Sequence, residues 1–462
     1  MASLSYPALD PIRTTLTQIA ANGGPDWRGR VFVVGGAVRD RLMGLPLKND
    51  FDLLVDGDAL ALARELHQAG ITDHFPVEYA NFGTVMLGIH GIPVELVTAR
   101  KECYRGESRK PVVEPATLFE DAERRDFTIN ALSEDLFTGE VIDRLGTGLA
   151  DLESRVLRTP LAPEATFHED PLRMLRAVRF VHQLEFSPAS GLYEAIASTA
   201  PRLKIISAER IQAELNKVLV LPTVSQALED LRTTGLLAEF WPEFLDGVGM
   251  TQGDYHHLDV WGHTRAVVAA ARPTLRHRLA ALFHDVGKPR TRTVEDTGRI
   301  RFFGHDDLGA EMTATMLRRL RYPGDITHEV ATLVKHHMRL GGGNEFKPRS
   351  ARKLLHDLGE LADDLIDLCE ADSKGLKASL VMPDYDEMRA TLEDVRTQLP
   401  SRKPESPLTG RQLMDALGLS SGHEIGRIKA MLTEAVIEGR LAATDEAGAL
   451  ALAKEFLRNP TD

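Results

Sequence analysis

Two cysteines in 462 residues, Cys103 and Cys369, are too few and too far apart for a disulfide framework, and neither has metal-ligand spacing. That predicts a reducing, cytoplasmic compartment. Long apolar runs are missing too, so no segment reaches membrane-spanning length. Met1 to Asn22 mixes polar with isolated apolar residues and lacks the basic start and apolar stretch of a signal peptide. No membrane partner is expected. Net positive charge is absent: the balance of −13 argues against a chain that coats nucleic acid indiscriminately, because its overall field repels phosphates. There is no internal repeat and no low-complexity tract.

What is present is a large globular chain, long enough for three or four units with sizeable cores. Cations are concentrated locally. Between Pro171 and Val220 seven Lys and Arg face four acids, and Arg100 to Lys110 forms a second basic stretch, so a discrete RNA-facing groove is compatible with the acidic whole. Residues 1–150 alternate helical signals (Pro11 to Ala21, Ala59 to Ala69) with strand signals (Val31 to Val34, Gly83 to Ile89, Ile92 to Thr98), which implies an α/β or α+β head. After Leu149 the strand signals vanish and helical spacing runs on, interrupted by prolines. Gln398 to Pro407 reads as a linker.

Asp50 and Asp52 are the most informative residues. Side chains two apart on a strand share a face, so the pair can hold a hard cation between them, although an Asp-x-Asp is also common in turns. Just upstream, Gly35-Gly36 after the apolar run lets backbone amides approach a ligand, with Arg39 beside them to face phosphates. Glu95, between apolar residues, either points to solvent from an edge strand or joins the aspartates as a third acid. Glu123-Arg124-Arg125-Asp126-Phe127-Thr128-Ile129-Asn130 is either a helix cap centred on Asp126 or a ribose and phosphate site. Glu169-Asp170-Pro171-Leu172-Arg173 opens a helix on which Arg173, Arg176 and Arg179 recur every three residues. That stripe is either a solvated basic face or a donor and acceptor set for a base edge. Ser207-Ala208-Glu209-Arg210 is a further capped start, from which Glu209 or Arg210 braces a neighbour.

In order and spacing these motifs resemble those of the class II tRNA nucleotidyltransferase and bacterial poly(A) polymerase family, over about residues 25–225. The resemblance implies an α+β chain whose polymerase-β-like head, a mixed sheet with helices, precedes all-α neck, HD and tail domains at 1–150, 151–245, 246–380 and 381–462. It implies Asp50 and Asp52 as Mg2+ ligands with Glu95 as a further carboxylate. Asp126 would recognise ribose, with Gly35, Gly36, Arg39, Arg125 and Asn130 in the nucleotide site. Asp170 and Arg173, with Arg176 and Arg179, would select CTP and ATP, and the tRNA 3′ end would be the acceptor. The family's flexible loop corresponds to Arg100 to Glu123, with Arg100, Tyr104, Arg109 and Pro111, and favours complete CCA addition over CC-only or A-only addition.

A second set comprises His263, His284-Asp285, His305, His336 and Asp372, residue types that hold a divalent metal when several helices bring them together. It resembles HD-domain phosphohydrolases, with His263, His284, Asp285 and Asp372 as core ligands. His305 and either His336 or His337 would complete a larger set for one or two metals of the Mn2+, Ni2+ or Co2+ class, or Mg2+. Lys288 either holds a phosphate or caps helix carbonyls. Such a site would remove 2′,3′-cyclic or terminal phosphates from RNA ends. A degenerate HD scaffold is the bland alternative, and an HD nucleotide hydrolase with an RNA-binding N-terminal half is the competing class.

Overall fold

In the computed structural model, the structure describes residues 6–79, 83–103, 112–253, 256–340, 346–377, 380–398, 405–420 and 422–458, with the side chains of 101–103 and 112–113 left aside. Tyr104, Arg105, Arg109, Lys110 and Pro111 of the anticipated loop lie outside these residues, as does most of the anticipated linker. The chain forms two compact units, Met1–Pro242 and Glu243–Asp462.

The first unit is α+β. Its strands are β1 (Val31–Val34), β2 (Phe51–Val55), β3 (Val77–Tyr79), β4 (Thr84–Ile89), β5 (Ile92–Thr98), β6 (Arg100–Cys103), β7 (Val112–Pro115), β8 (Ser133–Asp135) and β9 (Val141–Ile142). Seven make a sheet in the order β3-β4-β5-β2-β1-β8-β9, while β6 and β7 pair separately. Every pair in the large sheet is antiparallel except β2 with β5, whose partners include Asp52 with Glu95.

Both faces of β1 are covered, which explains its unbroken apolar run. Val31 and Val33 join a large core with Leu53, Val55 and Leu96 and with helices α1 (Asp10–Ala21) and α3 (Ala59–Gln68), through Ile12, Leu16, Leu62 and Leu66. Phe32 and Val34 face the other way, with Leu54 and Ala99. Asp52 pairs with Val34 across the ladder and therefore lies on that second face, the one away from the large core. Between β1 and β2 runs the short α2 (Gly36–Leu42).

The rest of the unit is α4 (Leu118–Glu123), α5 (Gly148–Glu153), α6 (Pro163–Glu169), α7 (Leu172–Leu184), α8 (Leu192–Thr199), α9 (Ala208–Leu219), α10 (Val224–Thr233) and α11 (Leu236–Phe240). The expectation that strands stop after Leu149 needs correction. Val156–Leu157 (β10) pairs in parallel with Ser187–Pro188 (β11), a two-residue bridge too short to leave an alternating pattern.

The second unit is helical: α12 (Val260–Ala270), α13 (Leu275–Phe283), α14 (Lys288–Thr291), α15 (His305–Arg319), α16 (Gly324–His336), α17 (Pro348–Leu358), α18 (Leu361–Lys374), α19 (Tyr385–Gln398), α20 (Gly410–Leu417), α21 (His423–Ile437) and α22 (Glu446–Arg458). A second small hairpin, β12 (Thr293–Val294) with β13 (Ile300–Arg301), interrupts it. Leu413, Ile428, Leu432, Ala449 and Ala453 give α20 to α22 a core of their own, and the buried Glu438 ties this tail to α17 through Arg349. No helix among the described residues is long and apolar enough to cross a membrane.

Candidate active sites: an acidic sheet edge beside an arginine-lined cleft, and a histidine cluster

Gly35 ends β1 at φ +73°, a left-handed conformation natural to glycine, and turns the chain into α2. A Cβ there would sit 3.7 Å from Asp52 Oδ2 and 3.8 Å from an Arg125 guanidinium nitrogen, so the turn, the acid and the cation meet at one point. Asp52 and Glu95 stand side by side in the parallel register. Burial raises both carboxyls above their usual range; the charge of Asp50 adds to the effect on Asp52 while Arg125 opposes it, and the charge of Asp52 adds to that on Glu95 while Arg100 opposes it. Glu95 thus joins the acids rather than pointing out from an edge strand. Asp50 sits one residue ahead of β2 and is exposed.

Next to these acids opens a cleft of about 740 Å³, whose lining includes Gly35, Asp52, Arg125, Asp126, Asp170 and Phe180. Its walls are a chain of charge-assisted bonds. Asp126 is buried and heads no regular α-helix; its Oδ1 accepts from Phe127 N and from Asn130 Nδ2 at 3.0 Å, and its Oδ2 accepts from Arg176 Nε at 2.9 Å. Burial would raise its carboxyl, but Arg176 and Asn130 hold it below the usual range. Asn130 Oδ1 in turn accepts from Arg39 at 2.7 Å. Arg39 also pairs with Asp40 and is 5% exposed, and it lines the same cleft beside Gly36.

Asp170 Oδ1 receives Leu172 N at the start of α7, and its Oδ2 receives Arg210 at 2.7 Å; Arg210, not Glu209, does the bracing. Arg173 donates to Glu169 at 2.6 Å and to the Arg124 carbonyl at 2.5 Å. Arg176 and Arg179 do not form a solvated stripe. Arg179 is 6% exposed and donates to Glu214 at 2.6 Å, and the ring of Phe180 lies 5.0, 5.4 and 4.1 Å from the guanidinium carbons of Arg39, Arg176 and Arg179.

Two residues here escaped the sequence reading. Asp121, wholly buried, accepts from Arg124 at 2.6 Å and from Arg125 at 3.0 Å, fixing the arginine pair whose carbonyl and guanidinium reach the cleft. Phe180 is the common floor of three arginines. A carboxylate one turn ahead of Arg-Arg, and an aromatic directly after Arg179, were the available signals.

In the second unit, four imidazoles converge. Nδ1 of His263, His284, His305 and His337 lies 3.2, 2.8, 2.8 and 2.6 Å from the carbonyls of Gly375, Ala281, Phe302 and Val334. A carbonyl only accepts, so each Nδ1 carries the proton and each Nε2 turns a lone pair inward. The Nε2 atoms meet in pairs, His263 with His284 at 3.3 Å and His305 with His337 at 3.2 Å. Asp285 lies between them: Oδ2 is 3.0 Å from His284 and 3.5 Å from His263, Oδ1 3.5 Å from His305 and 3.8 Å from His337. Asp372 closes the first pair, 2.9 Å from His263.

Four inward lone pairs and two acids fit a divalent metal set in which Asp285 is shared. Burial, with the charge of His284, pushes His337 down to about 4, so it is a neutral donor at ordinary pH. His336 is the wrong histidine of its pair: half-buried on the outer side of α16, it is absent from the cluster, which His337 enters because the chain tightens into a 3-10 turn there. Lys288 neither caps carbonyls nor stands free, since its Nζ contacts Asp285 Oδ2 at 2.6 Å and Gln252 Oε1 at 2.7 Å. Glycines make the convergence possible. A Cβ on Gly287 would fall 2.2 Å from the His305 carbonyl, and one on Gly375 would fall 2.7 Å from His263 Nδ1.

A further group, His277 with Asp364 and Asp367, has the composition of a metal set. Its acids are already neutralised by Arg276 and Arg272, each at 2.9 Å, so it is an ion-pair lock between α13 and α18.

A mixed sheet that presents paired acids beside an arginine-lined cleft of nucleotide size defines a nucleotidyltransferase head. Comparison with known proteins agrees along the chain: the Poly A polymerase head domain matches residues 31–158, the Probable RNA and SrmB- binding site of polymerase A residues 185–247, and the HD domain residues 254–374. The A-adding tRNA nucleotidyltransferase of Deinococcus radiodurans is 35% identical over 90% of this chain and 94% of its own length. The CC-adding tRNA nucleotidyltransferase of Thermus thermophilus is 34% identical over 91% and 93%. The chain belongs to the tRNA nucleotidyltransferase family. In fold it is similar to the CCA-adding enzyme of Bacillus stearothermophilus solved with CTP, with a TM-score of 0.68 at 24% identity over 98% of both chains.

Proposed function

We propose that this enzyme adds C and A nucleotides to the 3′ end of tRNA, using CTP and ATP without a nucleic-acid template. The observation that carries the reading is the Asp52–Glu95 register, with the charge of Asp50 upon it, opening on the arginine-lined cleft. Asp52 and Glu95 each have a neighbouring acid that raises their proton affinity, a strain that a divalent cation relieves, so Asp50 and Asp52, with Glu95, would hold Mg2+. When bound, that ion activates an RNA hydroxyl and stabilises pyrophosphate as it leaves. The amides of Gly35-Gly36 and Arg125 bind the triphosphate, Asp126 with Asn130 receives the ribose, and Asp170 with Arg173 offers an acceptor and a donor to the base edge. Arg176 and Arg179 keep that surface rigid.

The histidine cluster of the same chain acts on RNA 2′,3′-cyclic or terminal phosphates and so prepares a free 3′-hydroxyl. His263, His284, His305, His337, Asp285 and Asp372 would hold divalent metal there, of the Mn2+, Ni2+ or Co2+ class or Mg2+, which when bound supplies an activated water. Residues 1–150 serve as transferase head, 151–245 as nucleotide-selecting neck, 246–380 as HD domain and 381–462 as RNA-binding tail, all in the cytoplasm.

Incubation with tRNA ending at the discriminator base, tRNA ending in CC and a generic RNA, each with CTP, with ATP and with both, tests the assignment. Extension of both tRNAs to CCA supports it; no incorporation on any of them overturns it. Partial addition is a second reading, favoured by the A-adding and CC-adding names of the two relatives above, and extension of one tRNA only, by C alone or A alone, selects it. Asp52→Ala should abolish incorporation and leave phosphate release intact.

A further inference from the structure

The segment Lys288–Phe303 leads from the shared aspartate's lysine to the turn before His305, and it has an unusual surface for so acidic a chain. It carries five cations, Lys288, Arg290, Arg292, Arg299 and Arg301, against two acids, Glu295 and Asp296. Arg290, Arg292 and Arg299 are exposed. The hairpin register places Thr293 opposite Arg301, and Glu295 N donates to the Arg299 carbonyl, so residues 299 and 301 lie on one face. Two phenylalanines follow with opposite fates. Phe302 is half-buried with Lys288 Nζ 5.5 Å from its ring, and its carbonyl holds His305 Nδ1 at 2.8 Å. Phe303 is 76% exposed.

A phenylalanine left in water two residues from a metal-type histidine has no packing reason to be there. It is not loose, since the Arg301 guanidinium lies 5.6 Å from the ring centroid and is itself held by Glu295 at 2.9 Å. A flat apolar ring flanked by cations matches the chemistry that receives a nucleobase and its phosphate.

We propose that Phe303 is a base-stacking platform at the histidine cluster, which makes a nucleoside-bearing phosphate, the terminal nucleotide of an RNA strand, the preferred substrate there. The proposal rests on the phosphohydrolase reading of that cluster. The base lies on Phe303, Arg301 with the exposed arginines draws in the phosphodiester backbone, and the terminal phosphate reaches the histidines. In the hydrolysis, water oxygen bonds to phosphorus, the bond to the ribose 2′ or 3′ oxygen breaks, and that oxygen leaves with the water's proton.

The test uses the full chain with Mn2+ and two phosphate monoesters, adenosine 2′-monophosphate and the base-free glycerol 2-phosphate, each followed by release of inorganic phosphate. Phe303→Ala should raise KM for the adenosine ester about 5- to 20-fold and leave the glycerol ester unchanged, with Phe303→Trp restoring the first value. Equal effects on both esters, or none on either, overturn the platform. Should the wild-type chain hydrolyse neither ester, the phosphohydrolase reading fails by itself. The platform is then judged by equilibrium dialysis of adenosine 2′-monophosphate: weaker binding by Phe303→Ala than by wild type upholds it, and equal binding sinks it.

Discussion

Asp121→Asn removes one negative charge from the centre of the head without changing its shape. In the wild type that carboxylate is fully buried and receives Arg124 through Oδ1 and Arg125 through Oδ2, with Arg124 also donating to the Arg100 carbonyl at 2.7 Å. Burial alone would raise its proton affinity, yet the two guanidiniums hold it below the usual carboxylate range. Breaking a buried ion pair from one side costs about 3–5 kcal/mol; because the two arginine side chains keep 17% and 18% of their exposure and an amide still accepts a hydrogen bond, a loss of about 2–3 kcal/mol is expected. For a unit of this size that lowers the melting temperature by about 5–10 °C. Arg125, released on one side, should also bind triphosphate less well, raising KM for CTP and ATP about tenfold, which is about 1.4 kcal/mol. The pH dependence has a definite sign. A depressed carboxyl contributes stability above its unfolded value of about 4 and loses it as pH falls through the folded value, so the gap between variant and wild type is constant at neutral pH and closes on acidification. Thermal unfolding at several pH values and steady-state incorporation measure both. An Asp121→Asn enzyme with unchanged melting temperature and nucleotide KM at pH 7 would refute the reasoning.

Phe180→Leu should keep the fold but lose three cation–π contacts of about 0.5–2 kcal/mol each; nucleotide KM should rise about 5- to 20-fold with tRNA KM little moved, and Phe180→Tyr should behave as wild type. His337→Ala should lose metal, counted by elemental analysis of the purified chain, together with phosphate release, whereas His336→Ala should keep both. His277 is raised to about 9 by its bonds to Asp364 and Asp367, so its stabilising charge is fully present below about 6.5 and lost as pH rises through about 9. Unfolding of the second unit should therefore become easier between those values, and His277→Gln should flatten the dependence.

Local pattern carried the motifs well. Val31 to Val34, Gly35-Gly36, Asp52, Asp126 and the His284-Asp285 doublet announce themselves through residue type and spacing, and the α+β head with helical remainder follows from where strand signals stop. What stayed hidden was pairing. That Arg39, in the cleft lining, is held by Asp40 and Asn130 was not legible, because its distance to residue 130 is a tertiary fact. The choice between His336 and His337 turned on one helix tightening into a 3-10 turn, which adjacent identical residues cannot encode. Strands β10 to β13 are two residues each, shorter than any alternation. The lock at His277 joins residues about ninety positions apart.

The one parallel pair in the head sheet has a consequence for biosynthesis. Parallel neighbours require the polypeptide to return across the sheet before the second is laid down, so Asp52 waits for Glu95 until all of α3, β3 and β4 has been made. On the proposed reading of these acids, a nascent chain that has made both aspartates but not Glu95 would be unable to catalyse, and competence would arrive only with the finished head.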